Sequence, residues 1–222
     1  MSNQRVQIMN VNKHPEAAWW VSYSAGTLSA PFTTVLQAHL SACKTCRKQL
    51  QMADNVGAAL MAASAHAEEV ATADDLPLLE IGPQADESVE WAKDNVLDAS
   101  EFTDRYIGMH LDGMDWIRAG RGLRVCRLGD AGSHSMWVIR AEPNTVLPEH
   151  SHHGSELTLV VKGSYFCEDR IYGVGDIEDA DEETLHQPVV TSGEECICIA
   201  AVEGPLRFKQ WVPRLAQRFV GI

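Results

Sequence analysis

Two groups of residues in this chain have the chemical types and the spacing of metal ligands. The first is His39, Cys43 and Cys46, a His-x3-Cys-x2-Cys array. Positions 39 and 43 stand one helical turn apart and face the same way, and a Cys-x2-Cys turn lets two thiolates converge on one tetrahedral ion. A structural zinc site needs a fourth ligand. His14 lies 25 residues upstream of His39, and closing a His2Cys2 set with it would staple the start of the first helix to the next two. Without an ion the same residues read as a redox pair or as packing thiols beside a surface histidine. A thiolate site also has a liability, because an oxidant that attacks Cys43 or Cys46 can eject the metal and loosen the helices it holds.

The second group is His150, His152 and Glu156, in the segment His-Ser-His-His-Gly-Ser-Glu, with His186 thirty residues beyond Glu156. Residues two apart in a strand point to the same side, so His150 and His152 can face one interior, and Glu156 can join them from the adjoining strand. Such a set suits zinc, iron(II), manganese or nickel, and spacing does not choose among them. Burying two imidazoles and an acid in a β-rich region without an ion is costly. The alternative is a histidine-rich turn in water, a description that fits His153, which points the other way on a regular strand. His66, His110 and His134 are assigned no role.

The elements that must position these groups differ in kind. Pro15 and Glu16 open an amphipathic stretch over residues 17–25, and Gly26 follows where a helix commonly stops. Ser29 and Pro31 start a second helix carrying Phe32, Val35, Leu36 and Leu40 at helical spacing. An alanine-rich third helix is expected over residues 44–63, and the short connections imply a small bundle. Residues 65–88 turn acidic and are interrupted by Pro77, Gly82 and Pro83, which reads as a linker, with one more helix expected over 89–97. Beyond Phe102 come short β-rich runs at 123–128, 136–139, 157–161, 196–202 and 206–211, punctuated by Gly, Pro, Asn and Asp. The fold class expected is therefore α+β in two domains: a zinc-stapled helical bundle with its acidic linker over 1–98, and an antiparallel β-barrel over 102–222.

Composition narrows the function. With 45% hydrophobic and 22% charged residues the chain can bury a real core. The net charge of -13 repels phosphate backbones and anionic lipid, so no direct nucleic-acid or membrane partner is expected. Up to Asp75 there are 5 Lys/Arg against 6 Asp/Glu, a net of -1, which leaves -12 for the remainder and would draw a basic protein partner. No apolar run has the length of a membrane span, and the first residues lack the order of a signal peptide. A cytoplasmic location is expected, with the six cysteines reduced. Neither a Gly-x-Ser-x-Gly elbow nor a phosphate-binding glycine loop is present, against serine-hydrolase and nucleotide-binding readings.

The segment from His150 to Gly163 resembles the first cupin motif, His-x-His-x3-Glu-x6-Gly, and His186 falls where the second motif supplies its histidine. It departs from the pattern before the motif, where Pro143 and Asn144 stand instead of a glycine. The second motif keeps Gly175-Asp176 but lacks Pro-x-Gly and the closing Asn. His39, Cys43 and Cys46 in turn resemble the motif of zinc-binding anti-sigma factors, and the two halves together resemble the ChrR family of anti-sigma factors over nearly the whole chain.

That resemblance implies a helical domain that binds zinc through His14, His39, Cys43 and Cys46 and captures an extracytoplasmic-function sigma factor. It implies a cupin-like domain that binds zinc through His150, His152, Glu156 and His186 and is needed for release in response to singlet oxygen or organic peroxides. Cys196 and Cys198 match a paired cysteine position of that domain. They alternate on one strand and share a face, which leaves both redox sensing and core packing open. Exposed apolar helix faces including Trp19, Trp20 and Val35 are expected to cover the sigma factor, with core packing as the alternative for Trp19 and Trp20, of which, as helical neighbours, at least one is expected to pack inside. Two alternatives stand beside this reading: an iron(II) cupin dioxygenase, and a metal-sensing scaffold with no response to peroxide.

Overall fold

A computed structural model of the chain describes residues 11–66, 105 and 110–208. The expected linker and the helix over 89–97 lie outside the described residues, as do both limits of the expected domain boundary at 98 and 102. No helix among the described residues is long and apolar enough to cross a membrane.

Three helices come first: α1 (Ala17–Ser24), α2 (Ala30–Ala42) and α3 (Lys44–His66). Ser29, extended, precedes α2, and Pro31 sits in its first turn, where a missing N–H costs nothing. The chain leaves helical geometry at Cys43 alone before α3 begins. Cys43 therefore ends one helix and caps the next: its sulfur accepts the Cys46 N–H at 3.4 Å, as an N-cap side chain does. Arg47 reaches back to the Leu40 and Ser41 carbonyls at the end of α2, which fixes the angle between the two helices.

Among the described residues eleven strands follow: β1 (Ile117–Gly120), β2 (Leu123–Ala131), β3 (His134–Ala141), β4 (His150–Ser151), β5 (Glu156–Lys162), β6 (Ser164–Cys167), β7 (Arg170–Gly173), β8 (Ile177–Ala180), β9 (Val189–Val190), β10 (Cys196–Glu203) and β11 (Arg207–Phe208). They form an antiparallel six-stranded sheet in the order β1-β2-β3-β10-β5-β8, a three-stranded sheet β7-β6-β9 and a two-stranded pair β11-β4. The connectivity is cupin-like, but the sheets stay separate and no closed barrel forms among the described residues, which corrects the expected barrel. At Gly163, φ is +69° and an added Cβ would stand 2.4 Å from the Glu195 carbonyl, so the motif glycine lets β5 turn into β6 against the start of β10.

Both faces of the large sheet are covered. One packs on the helices, where Val138, Leu157, Leu159, Ile177, Ile197 and Ile199 meet Trp20, Phe32, Val35, Leu36 and Leu40. The other faces the small sheets and lines a cavity of about 130 Å³. Strands β5 and β10 are accordingly buried on both sides along nearly their whole length, β10 as an apolar run up to Val202 and β5 with Glu156 and Thr158 turned to the cavity side.

This packing overturns part of the expected partner surface. Trp20 is 1% exposed and Val35 0%, both inside the cluster between helices and sheet. Trp19 is half-buried, stacked on Phe32 at 4.9 Å between ring centroids and donating its indole N–H to Asp179 at 2.9 Å. Among the described residues of the helices, the large apolar side chains left outside are Met52 (68%), Val56 (57%), Leu60 (67%) and Met61 (74%) on α3 and Val21 (62%) on α1. Met52, Val56 and Leu60 stand on successive turns of one face.

Candidate metal centres

The break at Cys43 brings the first group together. His14 precedes α1, His39 is in the last turn of α2, and Cys43 and Cys46 bracket the start of α3; their ligand atoms lie within 4.8 Å of one another. His14 Nδ1 is 3.4 Å from each sulfur, and His39 Nε2 is 3.2 Å from Cys46 Sγ. Tetrahedral bonds of about 2.0 Å to nitrogen and 2.3 Å to sulfur give edges of about 3.5 Å, close to these separations.

Proton positions point the same way. His39 Nδ1 faces the Gly175 carbonyl at 2.8 Å, and a carbonyl only accepts, so this nitrogen carries the hydrogen and Nε2 turns a lone pair to the sulfurs. A Cys46 thiol donating to Cys43 pulls the Cys43 pKa down, while Cys46 is pushed up by the same contact. One thiolate is thus available without a cation, and a cation would draw out the second.

The second group closes across an antiparallel bridge. His150 and His186 exchange both backbone hydrogen bonds, at 3.0 Å each, so their side chains project side by side. His152 follows β4 and Glu156 opens β5, and the four ligand atoms lie within 4.8 Å of one another, all on buried residues. Each imidazole has Nδ1 against an oxygen: His150 on the Pro148 carbonyl at 2.9 Å, His152 on the Asp181 carbonyl at 3.3 Å, His186 on Glu178 at 2.9 Å.

Those contacts leave the three Nε2 lone pairs converging with a carboxylate. His150 and His186 face each other Nε2 to Nε2 at 2.9 Å. His152 Nε2 is buried without a hydrogen-bond partner although Glu156 Oε2 is 3.1 Å away. Four electron-rich atoms aimed at one point repel unless a cation sits among them, so this donor set fits a metal ion. Burial acts to raise the Glu156 carboxyl, but positive charge on the surrounding imidazoles, that of His152 first, outweighs it and holds the carboxyl at about 2; a bound cation would supply that charge with the imidazoles neutral.

Several residues of this site went unpredicted. Glu178 accepts from His186 Nδ1 and, on its other oxygen, from the Tyr165 hydroxyl at 2.6 Å. Cys167 Sγ lies 3.6 Å from His186 Nδ1, making Cys167, Glu178 and His186 a third close cluster. Burial pushes the Cys167 thiol well up, which keeps it protonated. No spacing in the sequence marks Glu178, one of two adjacent acids in the strand Ile-Glu-Asp-Ala. Cys196 and Cys198 share a face as expected, with sulfurs 3.6 Å apart on the cavity side of β10. Contact with Cys196, then burial, pushes Cys198 far up. His153 points outward onto Arg207, and His134 sits edge-on to Phe32.

Comparison with known proteins decides the family. The model of the ChrR cupin-like domain matches residues 104–206. The anti-sigma-E factor ChrR of Cereibacter sphaeroides is 36% identical over 220 residues, spanning 96% of this chain and all of that protein. The chain belongs to the ChrR family of anti-sigma factors. The crystal structure of Rhodobacter sphaeroides SigE in complex with the anti-sigma ChrR contains a chain to which this one is similar with a TM-score of 0.66 and 34% identity, over 87% of this chain and 100% of that one. The ChrR likeness thus runs through the helices and the cupin-like sheets alike, so both clusters fall inside the region of family similarity. Membership makes this a regulatory protein rather than an enzyme.

Proposed function

We propose that this chain binds and inhibits an extracytoplasmic-function sigma factor and releases it under singlet oxygen or organic peroxide stress. The observation that carries the reading is the end-to-end similarity to ChrR, which is named an anti-sigma-E factor and was solved in complex with SigE. Residues 1–98 would form the capturing domain and 102–222 the controlling one, with the protein acting in the cytoplasm. The helical module would hold zinc through His14, His39, Cys43 and Cys46. The cupin-like cluster His150, His152, Glu156 and His186 would hold zinc, with iron, manganese or nickel as the other ions its donors suit.

The apolar face of α3, with Met52, Val56, Leu60 and Met61, supplies a contact surface that needs no unfolding to be reached. On the sensing side, Cys196 and Cys198 face a small, mainly apolar cavity that also touches His150 and Glu156. A small apolar oxidant entering there would meet the sulfurs and the cluster together, and modification would shift the balance between sigma-retaining and sigma-releasing states. An ion at either cluster would supply a fixed charge that holds its ligands in place.

Co-purification with a candidate extracytoplasmic-function sigma factor tests the reading. Full-length protein is expected to retain that factor, Val56→Asp together with Leu60→Asp to lose it by at least tenfold in affinity with unchanged thermal stability, and singlet oxygen to shorten the lifetime of the wild-type complex. Failure to retain any sigma factor would overturn the reading.

A further inference from the structure

Five consecutive residues of the cupin-like domain, 175–179, link the surroundings of both candidate clusters: Gly175 meets His39, Glu178 meets His186, and the other three hold the chain on either side of His14. In the β7–β8 turn, the Gly175 carbonyl accepts from Nδ1 of His39 at 2.8 Å. Asp176, 5% exposed, accepts the backbone N–H groups of Asn12 and Lys13 on one oxygen, at 2.7 and 3.0 Å, directly ahead of His14. Its other oxygen holds the turn through the Gly173 N–H at 3.0 Å. Ile177 N–H donates to the Lys13 carbonyl at 3.2 Å, so the segment before His14 is laid along the edge strand of the large sheet. Two histidines of the N-terminal cluster are therefore oriented by a domain that supplies none of its ligands.

Alternation along β8 carries the connection inward. Ile177 packs on the helix side, and Asp179 accepts from the Glu16 N–H and the Trp19 indole, both at 2.9 Å. Glu178, between them, points to the opposite face and fixes the His186 ring at 2.9 Å. The turn is tied to β5 as well: Gly175, at φ +89°, donates to the Val160 carbonyl at 2.9 Å, and the Asp176 carbonyl accepts from Val160 at 3.1 Å.

We propose that residues Gly175–Asp179 are positioning residues shared by both metal clusters, so that the N-terminal site is completed by the cupin-like domain and the state of one cluster sets how firmly the other holds its ion. The proposal rests on the reading that both clusters bind metal. Partners that orient a ligating histidine typically contribute 10–100-fold to metal retention. Coupling carried through a shared strand is reciprocal: whatever loading the cupin cluster does to the N-terminal site, loading the N-terminal site does in return.

Cobalt(II) substitution of the full chain in a Cys167→Ser background separates the sites, because the sulfur beside His186 is then gone and, of the two clusters, only the N-terminal one has thiolates to give a thiolate-to-cobalt charge-transfer band. Loss of that band is timed after adding EDTA. Asp176→Ala should lose it roughly ten times faster than wild type, and Asp176→Asn, which keeps a side-chain oxygen for the Asn12 and Lys13 N–H groups, should stay within about threefold. His150→Ala, which removes a ligand from the cupin cluster alone, should change the rate at least threefold although His150 touches nothing in the N-terminal cluster. If Asp176→Ala does not fold, Gly175→Ala replaces it, since a side chain at φ +89° forces the carbonyl facing His39 to move.

Wild-type rates in Asp176→Ala or Gly175→Ala would overturn the completion of the N-terminal site, and a wild-type rate in His150→Ala would overturn the coupling. Absence of the band from the wild-type protein would sink the metal reading itself, a distinct result.

Discussion

The N-terminal cluster draws its ligands from three separate pieces of chain, the segment before α1, the end of α2 and the start of α3, and includes two sulfurs. The cupin-like cluster draws its four ligands from one sheet domain, contains no sulfur, and has its two most distant members locked as a backbone pair by His150 and His186. In the first, the ion would help make the local structure; in the second, hydrogen-bonded strands have already made it. The outer partners differ in the same sense. His39 leans on a backbone carbonyl of the other domain, whereas His186 leans on Glu178 and Tyr165 of its own.

The largest expected effect of this contrast is on metal removal. Exhaustive chelation should cost the N-terminal module several kcal/mol, up to on the order of 10 kcal/mol, because a small metal-stapled fold converts binding energy into folding energy. Near-UV circular dichroism from Trp20, which is stacked on His39 at 6.3 Å, should collapse while the far-UV sheet signal persists. Simultaneous loss of both signals would erase the distinction between the clusters.

Thiol chemistry should differ by a smaller but still large factor. In metal-free protein, iodoacetamide should label Cys43, whose pKa is held down, at least a hundredfold faster than Cys167 or Cys198, whose thiols are pushed up. Zinc should then protect Cys43, and peptide mass spectrometry gives both rates. Comparable labelling of all three would remove the electrostatic half of the comparison.

Tyr165→Phe probes the outer partner of the cupin-like site. Losing the hydroxyl that donates to Glu178 should weaken that cluster's metal affinity by about three- to tenfold and change the N-terminal cluster by a smaller factor, read by competition with a chelator.

The smallest effect is an acid one inside the sheet domain. Burial acts to raise Glu195, but Lys162 and Arg140 outweigh it and hold the carboxyl below its usual range. Its contribution is present above the unfolded-state pKa of about 4.3 and fades as pH falls through the lower folded value. Because the pair is partly exposed, Glu195→Gln should cost only about 0.5 kcal/mol at pH 7, with no difference from wild type near pH 2, by thermal unfolding. A larger loss, or one that releases metal, would show that the sheet does not hold its cluster independently.

The two candidate ligand sets are legible in the sequence because metal sites impose spacing. His39-x3-Cys43-x2-Cys46 and His150-x-His152-x3-Glu156 are patterns that helix and strand periods turn directly into geometry. Largely apolar runs at 157–161 and 196–202 likewise announced buried strands. The partner surface was misread because periodicity shows which face of a helix is apolar, not which neighbour covers it, and Trp20 and Val35 are covered by the sheet. Barrel closure depends on pairings between distant strands, which no local pattern fixes. Glu178 stayed hidden because a carboxylate that supports a ligand needs only proximity in space, not a spacing in the chain.

One consequence follows from strands β5 and β10 being enclosed on both sides. In most sheets every second residue is free to vary, but here the odd positions face helices and the even ones face the cavity, or the reverse. A saturation mutagenesis map should show two unbroken intolerant bands at 156–161 and 196–202, admitting only swaps of similar volume. Sequence divergence within the family would then have to concentrate in the loops and in the small sheets.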